Sequence, residues 1–218
     1  MKGLVAILAK QPMPGRVKTR LAKDVGPERA AVLAEAFLLD TIDVAAQVPG
    51  ADVLIAFDPP DAKAWFCAHA PSGCEVMPQP RGDLGDRIAA VFERGFALGA
   101  ASCVAIGMDT PQLSPGRLAQ ALSACENGSV TIGPSVDGGY YLIGMDRPRP
   151  TLFDGIDWST DAVFDQTSRR IRRAGAPLVL LPEEHDVDDL AGLQALEAGR
   201  LPPRSRAALL AFQDAWKG

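Results

Sequence analysis

"GLVAILAKQPMPGRVKTRLA", residues 3–22, joins an apolar run to a stiff cationic turn. The run from Gly3 to Ala9 is apolar without alternation, which points to a strand buried on both faces of a mostly parallel sheet. Straight after it, Pro12, Pro14 and Gly15 restrict the backbone while Lys10, Arg16, Lys18 and Arg20 place four cations within eleven residues. Ligands of open parallel sheets sit beyond the carboxyl ends of the strands. A cationic turn at that place offers guanidinium and ammonium groups suited to phosphate. Its glycines are too few for a G-x-x-x-x-G-K-[ST] loop. A solvated charge run at a helix start is the competing reading, weakened because cations are unfavourable beside the positive helix N-terminus.

The same alternation of short apolar runs and helical segments continues along the chain. Strands are expected at residues 3–9, 52–57, 74–79, 102–108, 129–133, 140–145 and 177–181, with helices filling most of the intervals. That order argues for an α/β fold, a mostly parallel sheet with helices on both faces. After Pro27, apolar residues recur at Ala30, Leu33, Ala34, Phe37, Leu38 and Ile42, the spacing of one helix face. Ser114-Pro115 reads as an N-cap followed by proline in the first helical turn. "WSTDAVFDQTSRRIRRAG" offers a cap at Ser159 or Thr160, cations in its last turn and a terminating glycine. A last helix is expected from about Pro203 to Trp216, and "DRPRPTLFDG", residues 146–155, reads as a surface excursion. One domain over residues 1–218 is the simplest organisation.

Composition narrows the function. With 47% hydrophobic and 22% charged residues the chain is of ordinary globular composition, and no apolar run reaches the roughly 18–20 residues of a membrane helix. The short apolar core near the N-terminus is a strand rather than a signal peptide, so the cytoplasm is the expected compartment. A net charge of −5 gives no support for nucleic-acid binding, which rests on a basic surface. Four cysteines, Cys67, Cys74, Cys103 and Cys125, form no C-x-x-C pair and are expected to be buried thiols; two histidines supply neither a zinc set nor a triad well.

Further unusual stretches fall at strand ends. In "QPRGDLGDRI", residues 79–88, Gly82 and Gly85 flank Asp83-Leu84 at the start of a helical pattern, where a backbone can approach a flat ligand or simply turn into its cap. In "VAIGMDTPQL", residues 104–113, Asp109 stands at the end of a buried strand, as a metal ligand or as a cap of the next turn. "GPSVDGGYYLIG", residues 133–144, holds Asp137, Gly138, Gly139 and Tyr140 in either a ligand wall or a tight strand connection. "HDVDDL", residues 185–190, adds Asp186, Asp188 and Asp189 before a short helix. Oxygen ligands without cysteine or histidine favour Mg²⁺ or Mn²⁺.

Taken in order, "AKQPMPGRVKTRL", "RGDLGDRI", "GMDTPQL", "GPSVDGGYYLIG", "WST" and "DVDDL" resemble the bacterial glycosyltransferase-like proteins of the nucleotide-diphospho-sugar transferase superfamily, once grouped as a domain of unknown function. That family is similar to phospholactate guanylyltransferases and molybdenum-cofactor guanylyltransferases. The resemblance implies a GT-A type three-layer sandwich, with a nucleotide across the first half of the sheet and a divalent cation at its phosphates. Carried over by position, it implies that Arg16, Lys18 and Arg20 face the phosphates and act with Asp109 in catalysis. Lys10, Pro14, Gly15, Gly82, Asp83 and Gly85 would bind the nucleotide, and Asp109 and Asp188 the metal, with Asp186 as the alternative to Asp188. Asp137 to Tyr140 and Trp158, Ser159 and Thr160 would border the acceptor. Related transferases carry L-x-x-G-x-x-x-R-x-G-x-x-K in the first loop, whereas this chain has P-M-P-G-R-V-K-T-R-L. The leading expectation is nucleotidyl transfer from a nucleoside triphosphate to a small phosphorylated acceptor; glycosyl transfer from a nucleotide-sugar and nucleotide binding without catalysis are the alternatives.

Overall fold

A computed structural model describes residues 2–125 and 128–216, with side chains through Gln213. Seven strands, β1 (Gly3–Lys10), β2 (Ala51–Asp58), β3 (Glu75–Pro78), β4 (Ser102–Ile106), β5 (Val130–Pro134), β6 (Tyr140–Met145) and β7 (Leu178–Leu180), form one sheet in the order β3-β2-β1-β4-β6-β5-β7. Each apolar run read from the sequence is one of these strands. Only β6 runs against its neighbours, β4 and β5. Strand β1 pairs in parallel with β2 on one side, from Gly3–Ala51 to Lys10–Asp58, and with β4 on the other, from Gly3–Ser102 to Ile7–Ile106. The chain leaves β1 toward β2 and β3 and reaches β4 only later, so the crevice between the carboxyl ends of β1 and β4 is the topological switch point.

Helices α1 (Ala22–Val25), α2 (Pro27–Ala46), α3 (Lys63–His69), α4 (Leu84–Ala97), α5 (Pro115–Ala124), α6 (Val163–Arg173), α7 (Leu190–Ala195) and α8 (Pro203–Trp216) cover the sheet. One face buries Val5, Ile7 and Ile55 under Leu38, Phe66 and Leu118 of α2, α3 and α5. The other buries Leu4, Ala6 and Leu54 under Ile88, Phe92 and Ile171 of α4 and α6. Successive residues of β1 therefore point into opposite cores, which is why its sequence shows no polar alternation. A third cluster, with Leu33 and Phe37 of α2 against Leu21, Leu193, Leu201 and Leu209, adds α1, α7 and α8 outside α2. Among the described residues no helix is long and apolar enough to cross a membrane.

Local chemistry explains most element ends. Pro27 opens α2, and the Ser114 hydroxyl accepts from the Arg117 amide, 3.2 Å away, at the start of α5. Asp83 and Asp86 cap α4 reciprocally, each carboxylate accepting from the other's amide. Three expectations fail. Helix α6 starts at Val163 behind Ala162 with no side-chain cap, while Thr160 serves the preceding turn, donating to the Asp157 carbonyl and accepting from the Ala162 amide. The stretch 146–155 is not all surface: Leu152 and Phe153 are buried, and Phe153 stacks on Phe92 with ring centroids 6.2 Å apart. Cys67 is exposed, unlike Cys103 and Cys125, so burial does not account for all four thiols.

Candidate active site

The second half of the opening loop is anchored by two buried apolar residues, Val17 and Leu21, with Arg16 just before them and Lys18 and Arg20 between them. Met13-Pro14-Gly15-Arg16 is a hydrogen-bonded turn in which the Arg16 amide donates to the Met13 carbonyl at 3.0 Å and Gly15 has φ 76°. Proline second and a left-handed glycine third are what such a turn requires. Pro14 and Gly15 thus shape the loop without lining the cleft, whereas Lys10, Arg16, Lys18 and Arg20 all line it. The cations differ in their partners. Arg16 and Arg20 are exposed, but the Lys18 side chain is only 2% exposed. Its ammonium forms an ion pair with Asp109 and lies 5.7 Å from the centre of the Phe37 ring. Lys18 also holds φ 47°, and among the described residues only Ser159, at φ 65°, is another non-glycine residue of positive φ. Both line the cleft, where strained backbone tends to concentrate.

Asp109 follows the end of β4, and its carbonyl accepts from the Val187 amide at 2.8 Å. One residue on, the Asp188 carbonyl accepts from the Leu21 amide at 3.1 Å. The segment 186–188 is thereby stitched to both the β4 end and the cationic loop, with Val187 fully buried and Asp186 and Asp188 turned into the cleft on either side of it. Burial, reinforced by the carboxylates of Asp137, Asp188 and Asp109, pushes the Asp186 carboxyl up to about 6. Burial also raises Asp188, with Asp109 adding to the effect and Lys18 and Arg20 opposing it. Among the described residues no three acidic, histidine or cysteine side chains stand together as a ready set of metal ligands, and Asp109 is engaged by Lys18. The donor chemistry nevertheless suits a hard divalent cation, because the donors are all oxygens and like charges crowd at one end of the cleft.

The cleft encloses about 860 Å³. Gly82, Asp83 and Leu84 wall it at the start of α4, and Ser135, Tyr140, Tyr141, Trp158 and Ser159 on the side of β6. Several residues expected at the ligand instead build these walls. Asp137 accepts from the Gly139 amide at 2.9 Å and from the Ser135 hydroxyl, closing the turn between β5 and β6. Gly138 has φ 87°, and a Cβ there would stand 2.3 Å from the Asp161 carbonyl oxygen. At Gly85 a Cβ would come within 3.0 Å of the Trp158 ring, so this glycine lets the ring pack on α4. Asp137, Gly138, Gly139, Gly85 and Thr160 do not line the cleft.

Gln79 and Arg87 are among the cleft residues that the sequence did not single out. The Gln79 amide group donates to the carbonyls of Ala9 and Ala56, at 3.1 and 2.8 Å, and its oxygen accepts from Arg87 Nη1 at 3.1 Å. Both stand in the same stretch as Asp83. The available signal was a cation one turn into α4, where the helix terminus disfavours it.

The chain has solved and curated relatives. It is 32% identical to a provisionally named nucleotide-diphospho-sugar transferase from Desulfovibrio desulfuricans G20, whose crystal structure superposes with a TM-score of 0.87 over 99% of this chain and 96% of that one. Rv0371c from Mycobacterium tuberculosis H37Rv, solved as a complex with manganese, shares the fold at 16% identity, with a TM-score of 0.51 over 89% of this chain and 97% of that one. Over 122 residues the chain is 31% identical to the phosphoenolpyruvate guanylyltransferase of Nocardia farcinica (strain IFM 10152), covering 54% of this chain and 53% of the relative. The chain thus spans about half the length of that curated relative. The profile of the family described as "Uncharacterized protein conserved in bacteria (DUF2064)" matches residues 41–160, and the chain belongs to that family.

Proposed function

We propose that the protein is a nucleotidyltransferase, moving a nucleotidyl group from a nucleoside triphosphate to a small phosphorylated acceptor. The observation that carries this reading is the presence of opposite charges in one cleft: Arg16 and Arg20 from the opening loop line it together with the carboxylates of Asp109, Asp186 and Asp188, and Arg20 acts by its charge on Asp188. A phosphate oxygen of the acceptor attacks the α-phosphorus in line, the bond to the bridging oxygen breaks, and pyrophosphate leaves with that electron pair. Such chemistry asks the protein mainly for positioning and charge neutralisation. Arg16 and Arg20 are the groups free to take up pyrophosphate oxygens. Lys18, buried on Asp109, orients that carboxylate. Mg²⁺ or Mn²⁺ held by Asp109 and Asp188, with Asp186 adjacent, would neutralise charge on the phosphates. The Nocardia relative's name supports a triphosphate donor and a phosphorylated acceptor, and the manganese of the mycobacterial neighbour supports the divalent cation. The side of the cleft bearing Tyr140, Trp158 and Ser159 is then left for the acceptor.

The Desulfovibrio relative's name motivates one rival, glycosyl transfer with release of a nucleoside diphosphate. The products separate the two. With GTP, Mg²⁺ or Mn²⁺ and phosphoenolpyruvate as the trial acceptor, the wild-type chain is expected to release pyrophosphate only when the acceptor is present. Hydrolysis or transfer from nucleotide-sugars alone, yielding nucleoside diphosphate and no pyrophosphate from any triphosphate, would replace this reading with the rival.

A further inference from the structure

Arg87 is placed against its electrostatic interest. It stands one turn into α4, near the positive end of that helix, and among the described residues it forms no ion pair. Among the described residues its one side-chain partner is neutral, the Gln79 oxygen, which takes Nη1. That leaves the other edge of the guanidinium, the parallel Nε–H and Nη2–H, without a protein acceptor, and Nε is a buried donor with no partner. A buried donor without a partner is costly, which makes this edge of the guanidinium a place where an added acceptor would be stabilising. The side chain is part of the cleft wall.

Gln79 explains why the guanidinium is held so. Its amide nitrogen is committed to two main-chain carbonyls, Ala9 at the end of β1 and Ala56 near the end of β2, so the amide cannot turn over. Its oxygen must then face α4, where it fixes Nη1 and aims the free edge. The position of the pair matters as much as its chemistry. Gln79 lies just past β3, and its own amide donates to the Phe57 carbonyl at 2.8 Å. The phosphate-directed cations and the carboxylates sit instead between β1 and β4, leaving the ends of β2 and β3 to the nucleoside.

Resting on the nucleotidyl-transfer reading above, we propose that Arg87, aimed by Gln79, selects the base by reading an edge that offers two adjacent acceptors, the O6 and N7 of guanine. Two parallel donors match that edge. Adenine presents an amino donor beside N7, and the pyrimidines lack a second acceptor in that place. Arg87 is the contact, and Gln79 is a positioning residue that acts through it.

The test measures dissociation constants by titration calorimetry for GTP, 7-deaza-GTP and ATP with the full chain and Mg²⁺. 7-Deaza-GTP keeps O6 and loses the N7 acceptor. The wild type is expected to bind GTP about tenfold or more tightly than either competitor. In Arg87→Lys, which keeps the charge but not the fork, GTP and 7-deaza-GTP should bind alike while triphosphate binding persists. In Gln79→Met the same ratio should collapse, whereas a purely structural role for Gln79 would weaken all three nucleotides equally. Equal binding of GTP and 7-deaza-GTP by the wild type, or a ratio that survives in Arg87→Lys, overturns the assignment and leaves nucleotidyl transfer standing. If no nucleoside triphosphate binds at all, the transferase reading fails and takes this assignment with it.

Discussion

Asp186 holds a carboxyl half-buried beside those of Asp137, Asp188 and Asp109, and its proton affinity is raised toward about 6 from an ordinary value of 3.8. Between those limits the folded chain keeps a proton that the unfolded chain has released, so the contribution of this group to stability is largest below about pH 4 and is lost as pH rises through 6. For a fully buried group each pH unit is worth ~1.4 kcal/mol; for a side chain in partial contact with solvent the penalty at neutral pH falls to on the order of 1 kcal/mol. In EDTA, Asp186→Asn should therefore melt above the wild type at pH 7.5 and converge with it near pH 4. A gap that does not change with pH would show that the group is not protonated as argued. Gly138 makes the complementary point about backbone. An added Cβ would meet the Asp161 carbonyl, and φ is left-handed, so Gly138→Ala should cost about 2 kcal/mol or more in urea unfolding. At Gly15, where φ is also positive but nothing lies within 4 Å, the same substitution should cost only the conformational term, about 1 kcal/mol.

Helix α8 shows how one element is fixed by another far away in sequence. Asp40, buried in the middle of α2, accepts from the Ser205 amide at 2.7 Å and from Arg204 at 3.3 Å, so a side chain of α2 satisfies the first turn of α8. Asp40→Ala would strand a buried amide and should cost about 1–3 kcal/mol. Asp40→Asn, which still offers an oxygen, should cost less, and hydrogen exchange should show the loss concentrated in α8. Nothing in the periodicity of α2 announces that contact, whereas the local start signals were legible where they depended on neighbours alone. Ser114 caps α5 because its backbone is extended, as a cap requires. Ser159 resembles it in sequence, but its left-handed φ of 65° removes it from that role. Leu152 and Phe153 were equally hidden, since two apolar residues between prolines and charges define no period.

For the molecule as a whole, buried parallel strands advertise themselves, and the apolar runs located every strand to within about two residues. Strand order did not show, because pairing β1 with β4 rather than β3 is decided by packing across the whole chain. The reversal of β6 was within reach: only residues 135–139 separate it from β5, too few for the dozen or more that a parallel crossover needs. At the cleft the charges were legible and their partners were not. Lys18 and Arg20 look alike in "GRVKTRLA", yet one is buried on Asp109, 91 positions along the chain, and the other is exposed. That difference makes the last prediction a matter of global electrostatics. A chain of net charge −5 must draw a polyanion to itself through a local cationic loop, and attraction to exposed charges is screened over about 10 Å at 0.1 M salt. Raising KCl from about 0.05 to 0.5 M should therefore weaken triphosphate binding by about tenfold. Replacing Arg16 and Arg20 together by alanine should weaken it at low salt and flatten the dependence, with the melting temperature changed little, because among the described residues neither side chain forms an ion pair or hydrogen bond and only the charge of Arg20 acts on Asp188. Binding that ignores salt in the wild type would mean that the phosphates are held by groups other than this loop.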